Sequence, residues 1–301
     1  MSKVRSWLKA ARLRTLPLAI ACVGLGSFLA ASDGSFRWLI LFLSLLTTLC
    51  LQILSNLAND YGDSQHGADH PLRRGPARTV QSGLITSAEM RRGIILFVVL
   101  SLAAGIALIA YSLGWGNTKF ILFLALGLLA IFAALKYTVG SRPYGYSGYG
   151  DIAVLAFFGI IGVMGTYYLH AHRLNAIHLL PALSSGFLAT GVLNINNIRD
   201  LDSDRIAGKK SVPVRIGLQR SAFYHWFLLG SAFLSAVAFA FLQFSRPVQW
   251  LFVLLLPLLI YNGRAVASYS NNTSLPLDPF LKQLALTSLL FLFALGFGIL
   301  L

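Results

Sequence analysis

Nine long apolar runs, each close to the length of one bilayer crossing, dominate this chain of 301 residues. They fall at 15–32, 37–58, 93–113, 119–137, 151–170, 176–198, 221–243, 248–269 and 282–301. A helix needs about 20 apolar residues to cross the hydrocarbon core. Backbone inside a bilayer must satisfy its own hydrogen bonds, which leaves helices or closed barrels. Barrel strands are short and alternate in polarity, whereas these runs are continuous, so the sequence predicts an all-α, polytopic membrane bundle. With 56% hydrophobic and only 11% charged residues, the composition lies well outside that of soluble domains. Pro181 and Pro257 fall inside two runs and predict kinks there. The first run leads directly into further spans with no small-residue cleavage site, so it reads as a span and not a signal peptide. Neither a linker nor a low-complexity stretch divides the chain, which predicts one domain over 1–301, built as two four-helix halves plus a ninth helix.

Charge orients the bundle. Lys3, Arg5, Lys9, Arg12 and Arg14 precede the first run, and Arg73, Arg74, Arg78, Arg91 and Arg92 occupy the second-to-third connection. Lys136 and Arg142 border the fourth-to-fifth connection, and Arg199, Arg205, Lys209, Lys210, Arg215 and Arg220 fill the sixth-to-seventh. The opposite side carries only Arg37, Lys119, Arg173 and Arg246. Basic residues mark cytoplasmic loops, which predicts a multi-pass protein of the bacterial inner membrane, its N-terminus inside and its C-terminus outside. The net charge of +14 then reflects topology and attraction to anionic lipid or diphosphate, with no nucleic-acid partner implied. Cys22 and Cys50 lie within apolar runs and read as small buried hydrophobes.

Against this background the acids stand out. Six of the ten carboxylates fall in two clusters, Asp60, Asp63 and Asp69, then Asp200, Asp202 and Asp204. Each closes an apolar run at the basic end, in corresponding halves, where a solvated loop would begin. A carboxylate beside a bilayer is costly unless paired or bound to a cation. Mg²⁺ held by one or two carboxylates usually carries substrate phosphate. Asn59, Asp60 and Asp63 lie within one helical turn, and Asp200 and Asp204 are four residues apart, with Asn196 and Asn197 a turn earlier. Residues three and four apart share a helix face, so the clusters predict one bipartite metal and diphosphate site. Helix caps and surface ion pairs are the plainer reading. Arg73, Arg74 and Arg78 follow the first cluster, and Lys209, Lys210 and Arg215 the second; such donors suit a departing pyrophosphate, although topology also explains them. Lys136 either reaches the diphosphate or snorkels.

The strings Asn59-Asp60-x-x-Asp63 and Asp200-x-x-x-Asp204, with Gly208-Lys209-Lys210-Ser211 and Arg215-Ile-Gly217 beyond, resemble the UbiA-type intramembrane prenyltransferases. The resemblance implies a bundle of nine membrane helices and Mg²⁺-assisted ionisation of an isoprenyl diphosphate. Residues 56–86 and Tyr137 to Asp151 are similar to the branch that prenylates 1,4-dihydroxy-2-naphthoate in menaquinone synthesis. Where the wider family often places a third acid, four positions after Asp63, this chain has Gly67; Asp69 follows two positions later. The metal ligands implied are Asp63, Asp200 and Asp204, with Asn59 and Asp69, while Asp60 and Asn59 bind metal or support those that do.

Arg142, Tyr144, Tyr146, Tyr149 and Asp151 sit among glycines on the metal side. An aromatic acid needs a cation for its carboxylate and flat partners for its rings. Arg142 is therefore the candidate carboxylate anchor, and the tyrosines are either ring partners or an interfacial belt. Asp151 would orient Arg142, cap a helix or assist deprotonation of the aromatic hydroxyl. His66 and His70 have the spacing of a ligand pair but no third soft ligand near, so zinc is a minor alternative to a surface loop. Prenyl transfer to 4-hydroxybenzoate, homogentisate, haem or a chlorin is the nearest competing activity. A transporter with intramembrane carboxylates is the alternative of another class, and predicts acids near the bilayer midplane.

Overall fold

The computed structural model describes residues 2–66, 75, 77–273 and 275–301. Among these the chain is all-helical, and nine helices are long and apolar enough to cross a membrane.

An element absent from the run count comes first: α1 (Lys3–Ala11), an amphipathic helix capped by the Ser2 side chain. It ends at Arg12, which adopts left-handed backbone with φ 49°. The spans follow as α2 (Leu16–Ser32), α3 (Trp38–Gln65), α4 (Ser87–Leu113) and α5 (Thr118–Lys136). The fifth span, α6 (Gly150–Ala171), contains a π-helical stretch over Ala156–Gly165. The sixth, α7 (Leu179–Arg199), is followed by the short α8 (Leu201–Ile206) and α9 (Val212–Ile216). Then come α10 (Leu218–Gln243), α11 (Leu256–Asn271) and α12 (Asp278–Leu300).

Two boundaries depart from hydropathy. Helix α3 runs on through the first acidic cluster to Gln65, and α4 begins at Ser87, where Thr86 and Glu89 form a reciprocal capping box. Polar residues extend α3 because they bury there: Asp60 is 3% exposed and Asp63 2%. The proline expectation divides. Pro257 enters the first turn of α11 after a 3₁₀ segment, Pro247–Leu255, in which Trp250 leaves helical backbone. Pro181 sits in the first turn of α7 and breaks nothing, since a missing N–H costs nothing at that position.

The large core joins α2, α6, α7, α10, α11 and α12. A second core packs α1 against α3, α4 and α5. A third, smaller one ties α3, α4, α5 and α6 at the far end. At that far end Arg37 donates to the Leu169 carbonyl at 2.9 Å and Arg173 pairs with Asp33 at 3.2 Å. The C-terminal carbonyl of Leu301 lies there too, 3.3 Å from Arg246. The ends of α3, α5 and α7 and the beginnings of α2 and α12 meet at the opposite end, around the acidic residues.

Candidate active site

The acid-rich end opens into a cavity of about 720 Å³ that runs down between α3, α4, α5, α6 and α7. Asn59, Asp63, Asn196, Asn197, Asp200 and Asp204 all reach its lining. Residues some 140 apart in sequence therefore face one space, and Gly75, beyond the first cluster, donates to Asp200 Oδ1 at 3.1 Å.

Lys209 bridges the halves. Its ammonium lies 3.1 Å from Asp63 Oδ1 and 3.1 Å from Asp204 Oδ1, and 4.7 Å from the centre of the Tyr146 ring. Arg78, itself buried, pairs with the other Asp63 oxygen and donates to the Asn59 carbonyl at 2.7 Å. Tyr146 completes the shell of Asp63 with a 2.6 Å hydrogen bond. Asp200 is gripped by the Arg199 fork at 3.0 and 2.6 Å. Arg199 also reaches Asp278 at 2.5 Å and Asn196 Oδ1 at 2.9 Å, and Arg14 joins Asp278 at 3.1 Å. Burial pushes the Asp204 carboxyl above the usual carboxylate range; Lys209 opposes this, and Asp200 and Asp63 add like charge.

Asp60 does something else. Its oxygens accept from Thr79 N at 3.0 Å, Thr79 Oγ1 at 2.7 Å and Val80 N at 3.3 Å, and it is absent from the cavity wall. It pins the 79–80 turn to α3 and thereby positions Arg78. Arg142, Lys136, Lys210 and Arg215 are exposed and lie outside the lining. The carboxylate-anchor expectation for Arg142 therefore has no geometric support. Arg215 instead ties the Ser147 carbonyl at 2.5 Å, and the Lys210 N–H donates to the Tyr146 carbonyl at 2.8 Å. Tyr149 is 60% exposed, whereas Tyr144 and Tyr146 line the cavity. Asp69, His70, Arg73 and Arg74 lie outside the described residues.

Several site residues escape a reading by motif. The charge pattern reads Arg199 as one more cation of a cytoplasmic loop, yet it is 4% exposed and holds Asp200. Asp278, an acid opening the last apolar run, carried a signal of the same kind as the clusters. Tyr137 lines the cavity and packs edge-on against Tyr144 at 5.4 Å. Burial pushes the Tyr144 phenol up to about 12 and those of Tyr137 and Tyr146 higher, the latter two further raised by Asp151 and Asp63 respectively. All three stay protonated donors at neutral pH. Asp151, at the start of α6, accepts from Tyr224 at 2.9 Å; a polar residue inside an apolar span was the available sign of Tyr224.

No three acidic, histidine or cysteine side chains converge as a ready metal site among the described residues. Mg²⁺ does not demand that, because it keeps substrate oxygens and water in its shell. The carboxylate and amide oxygens gathered at this end of the cavity, Asn59, Asp63, Asn196, Asn197, Asp200 and Asp204, fit a hard divalent cation.

A nine-helix bundle with carboxylates from two helix ends on one apolar cavity defines an intramembrane transferase class, and the UbiA prenyltransferase family model matches residues 18–276. The chain belongs to that family. It is 46% identical to the 1,4-dihydroxy-2-naphthoate octaprenyltransferase of Haemophilus influenzae over 98% of this chain and 96% of that protein. With the Escherichia coli protein of the same name it shares 45% identity, over 97% and 95%. Among solved structures, a UbiA homologue from Aeropyrum pernix K1 superposes with TM-score 0.65 at 14% identity, covering 96% of this chain and 98% of that one. A homologue from Archaeoglobus fulgidus, bound to GPP and Mg²⁺, gives 0.59 at 18% over 98% and 99%.

Proposed function

We propose that this protein transfers a polyprenyl group from polyprenyl diphosphate to 1,4-dihydroxy-2-naphthoate, with loss of pyrophosphate and CO₂, giving a demethylmenaquinol. The observation that carries the reading is the meeting of Asp63 with Asp200 and Asp204 on one cavity whose walls are otherwise mostly apolar. Polar groups at one end suit a diphosphate, and the apolar length suits its isoprenoid tail. The names borne by the relatives select the acceptor. The activity belongs to the inner membrane of a bacterium, with the site and N-terminus cytoplasmic and the C-terminus outside.

Asp63, Asp200 and Asp204, with Asn59, are the residues that would hold Mg²⁺, which when bound neutralises the diphosphate and stabilises charge on the leaving group. Arg78 and Lys209 stand at the same carboxylates and offer the leaving pyrophosphate hydrogen bonds. Arg199 keeps Asp200 oriented, as the partners behind a ligand commonly do. The apolar wall shelters the allylic cation from water, and the rings of Tyr137, Tyr144 and Tyr146 present π-faces to it.

The test is product identification by mass spectrometry. Membranes containing the protein receive Mg²⁺, prenyl diphosphates of several lengths, and either dihydroxynaphthoate or 4-hydroxybenzoate. Prenylated, decarboxylated naphthoquinol is the expected product; turnover of 4-hydroxybenzoate alone overturns the acceptor.

A further inference from the structure

The carboxylates on the cavity are not equivalent. Asp63, Asp200 and Asp204 each touch a cation: Arg78 and Lys209, Arg199, and Lys209 respectively. Asp151 is the exception. It lines the same cavity and is only 8% exposed, yet among the described residues no Lys, Arg or His lies within ion-pair distance. Oδ2 accepts from Tyr224 at 2.9 Å, and Oδ1 has no side-chain donor among the described residues. A buried carboxylate without a cation is costly. Its place in the first turn of α6 offsets part of that through the helix dipole.

The surroundings of Asp151 are aromatic. Tyr224 arrives from α10, and its ring stacks on Phe227 at 6.3 Å. The Tyr137 hydroxyl lies against the backbone of Gly150, where an added Cβ would meet it at 2.8 Å. Tyr137 also lines the cavity that Asp63, Asp204 and Asp151 share. The charged and titratable groups facing Asp151 are thus Tyr224 from α10 and Tyr137 from the loop before α6.

We propose that Asp151 is the proton acceptor for the aromatic co-substrate, and that Tyr224 is a positioning residue that fixes its Oδ2 and leaves Oδ1 for a phenolic hydroxyl. This rests on the prenyl-transfer reading above. An acceptor hydroxyl hydrogen-bonded to Oδ1 gives its proton to Asp151 as its ring attacks. For attack at the carboxylated ring carbon, that carbon bonds to the allylic carbon, whose bond to the diphosphate oxygen breaks with its electron pair on pyrophosphate. The hydroxyl carbon becomes a carbonyl. Loss of CO₂ leaves its bonding pair in the ring as a phenolate, to which Asp151 returns the proton. The net transfer needs no oxidant and no second base.

Asp151→Asn keeps the shape and an acceptor for Tyr224 but cannot take a proton. Its kcat is expected to fall by at least about 100-fold, the lower end for a lost general base. The KM for prenyl diphosphate and binding of a non-reacting thio-analogue stay at wild-type values. The residual rate climbs with pH as the bound hydroxyl ionises unaided, while the wild type is flat over the same window. Tyr224→Phe lowers kcat by about tenfold with both KM values unchanged, and it carries the test should Asp151→Asn fail to fold. A kcat within threefold of wild type in both variants overturns the proposal, as does a loss that tracks thio-analogue binding. If the wild type prenylates another phenol and not dihydroxynaphthoate, the acceptor assignment fails separately, and the same comparison is read on that phenol.

Discussion

At the scale of single residues, the first acidic cluster divides its labour. Asp60 and Asp63 share a helical turn, but about 100° per residue is enough to aim Asp60 at the 79–80 turn and Asp63 at the cavity. Spacing revealed the face and not the partner, because the Thr79 donors come from a loop whose path local sequence does not encode. Asp60→Ala leaves buried donors unpaired at about 1–3 kcal/mol each and releases Arg78. The detergent-solubilised variant should melt several degrees lower, with reduced turnover but an unshifted Mg²⁺ dependence; a large shift in that dependence would return Asp60 to the metal. Asp63→Ala should instead abolish turnover in a protein that still inserts and folds, and normal Mg²⁺-dependent activity would refute the ligand assignment. Arg199→Met strips the buried fork from Asp200 and Asp278. A broken buried pair costs about 3–5 kcal/mol, so this variant should show the larger fall in thermal midpoint, measured beside Asp60→Ala.

At the scale of elements, hydropathy located every span but mistook the helix ends that matter chemically. The run ends near 58, whereas α3 continues to Gln65 because its polar turns are covered by residues 77–80 and the segment after α5. Helix α1 escaped notice since an amphipathic helix has no apolar run, and the π stretch of α6 has no compositional mark at all. The packing of α3 against the loop after α5 hinges on Gly62. A Cβ there would meet the Thr138 carbonyl oxygen at 2.5 Å, a contact that backbone on both sides cannot relax. Thr138 also donates to Asn59 Oδ1 at 3.1 Å and to the Ala58 carbonyl at 3.0 Å. Gly62→Ala should therefore push the loop from α3 and carry Tyr137, Tyr144 and Tyr146 with it. The expected result is loss of turnover with the nine-span bundle still inserted, checked by helix content and activity on the same sample. Gly127, in contrast, lines the cavity with nothing near an added Cβ. Gly127→Phe should fill the tail's space and move the preferred donor toward shorter prenyl chains.

At the scale of the whole molecule, one asymmetry ties chemistry to topology. The acid-rich site and most cations share one end of the bundle, while the far end is closed by a few polar contacts such as Ser112 to the Leu169 carbonyl at 2.5 Å. The transporter alternative required acids near the bilayer midplane, but Asp63 and Asp200 stand at the ends of α3 and α7. That placement lets a diphosphate and a polar aromatic acid enter from water while the tail stays in the apolar cavity. The basic end also gains from anionic lipid, by about 1 kcal/mol per nearby Lys or Arg, so charge and site should select the same side. The prediction is therefore one of orientation. Cys22 and Cys50 are buried, which makes the wild type a low background for thiol labelling. Trp115 is 73% exposed at the far end, and Arg205 is exposed beside the site. In spheroplasts, a membrane-impermeant maleimide should label Trp115→Cys at once and Arg205→Cys only after permeabilisation. The reverse pattern would put the site outside, against the positive-inside rule and away from any cytoplasmic diphosphate, and would overturn the orientation while leaving the fold intact.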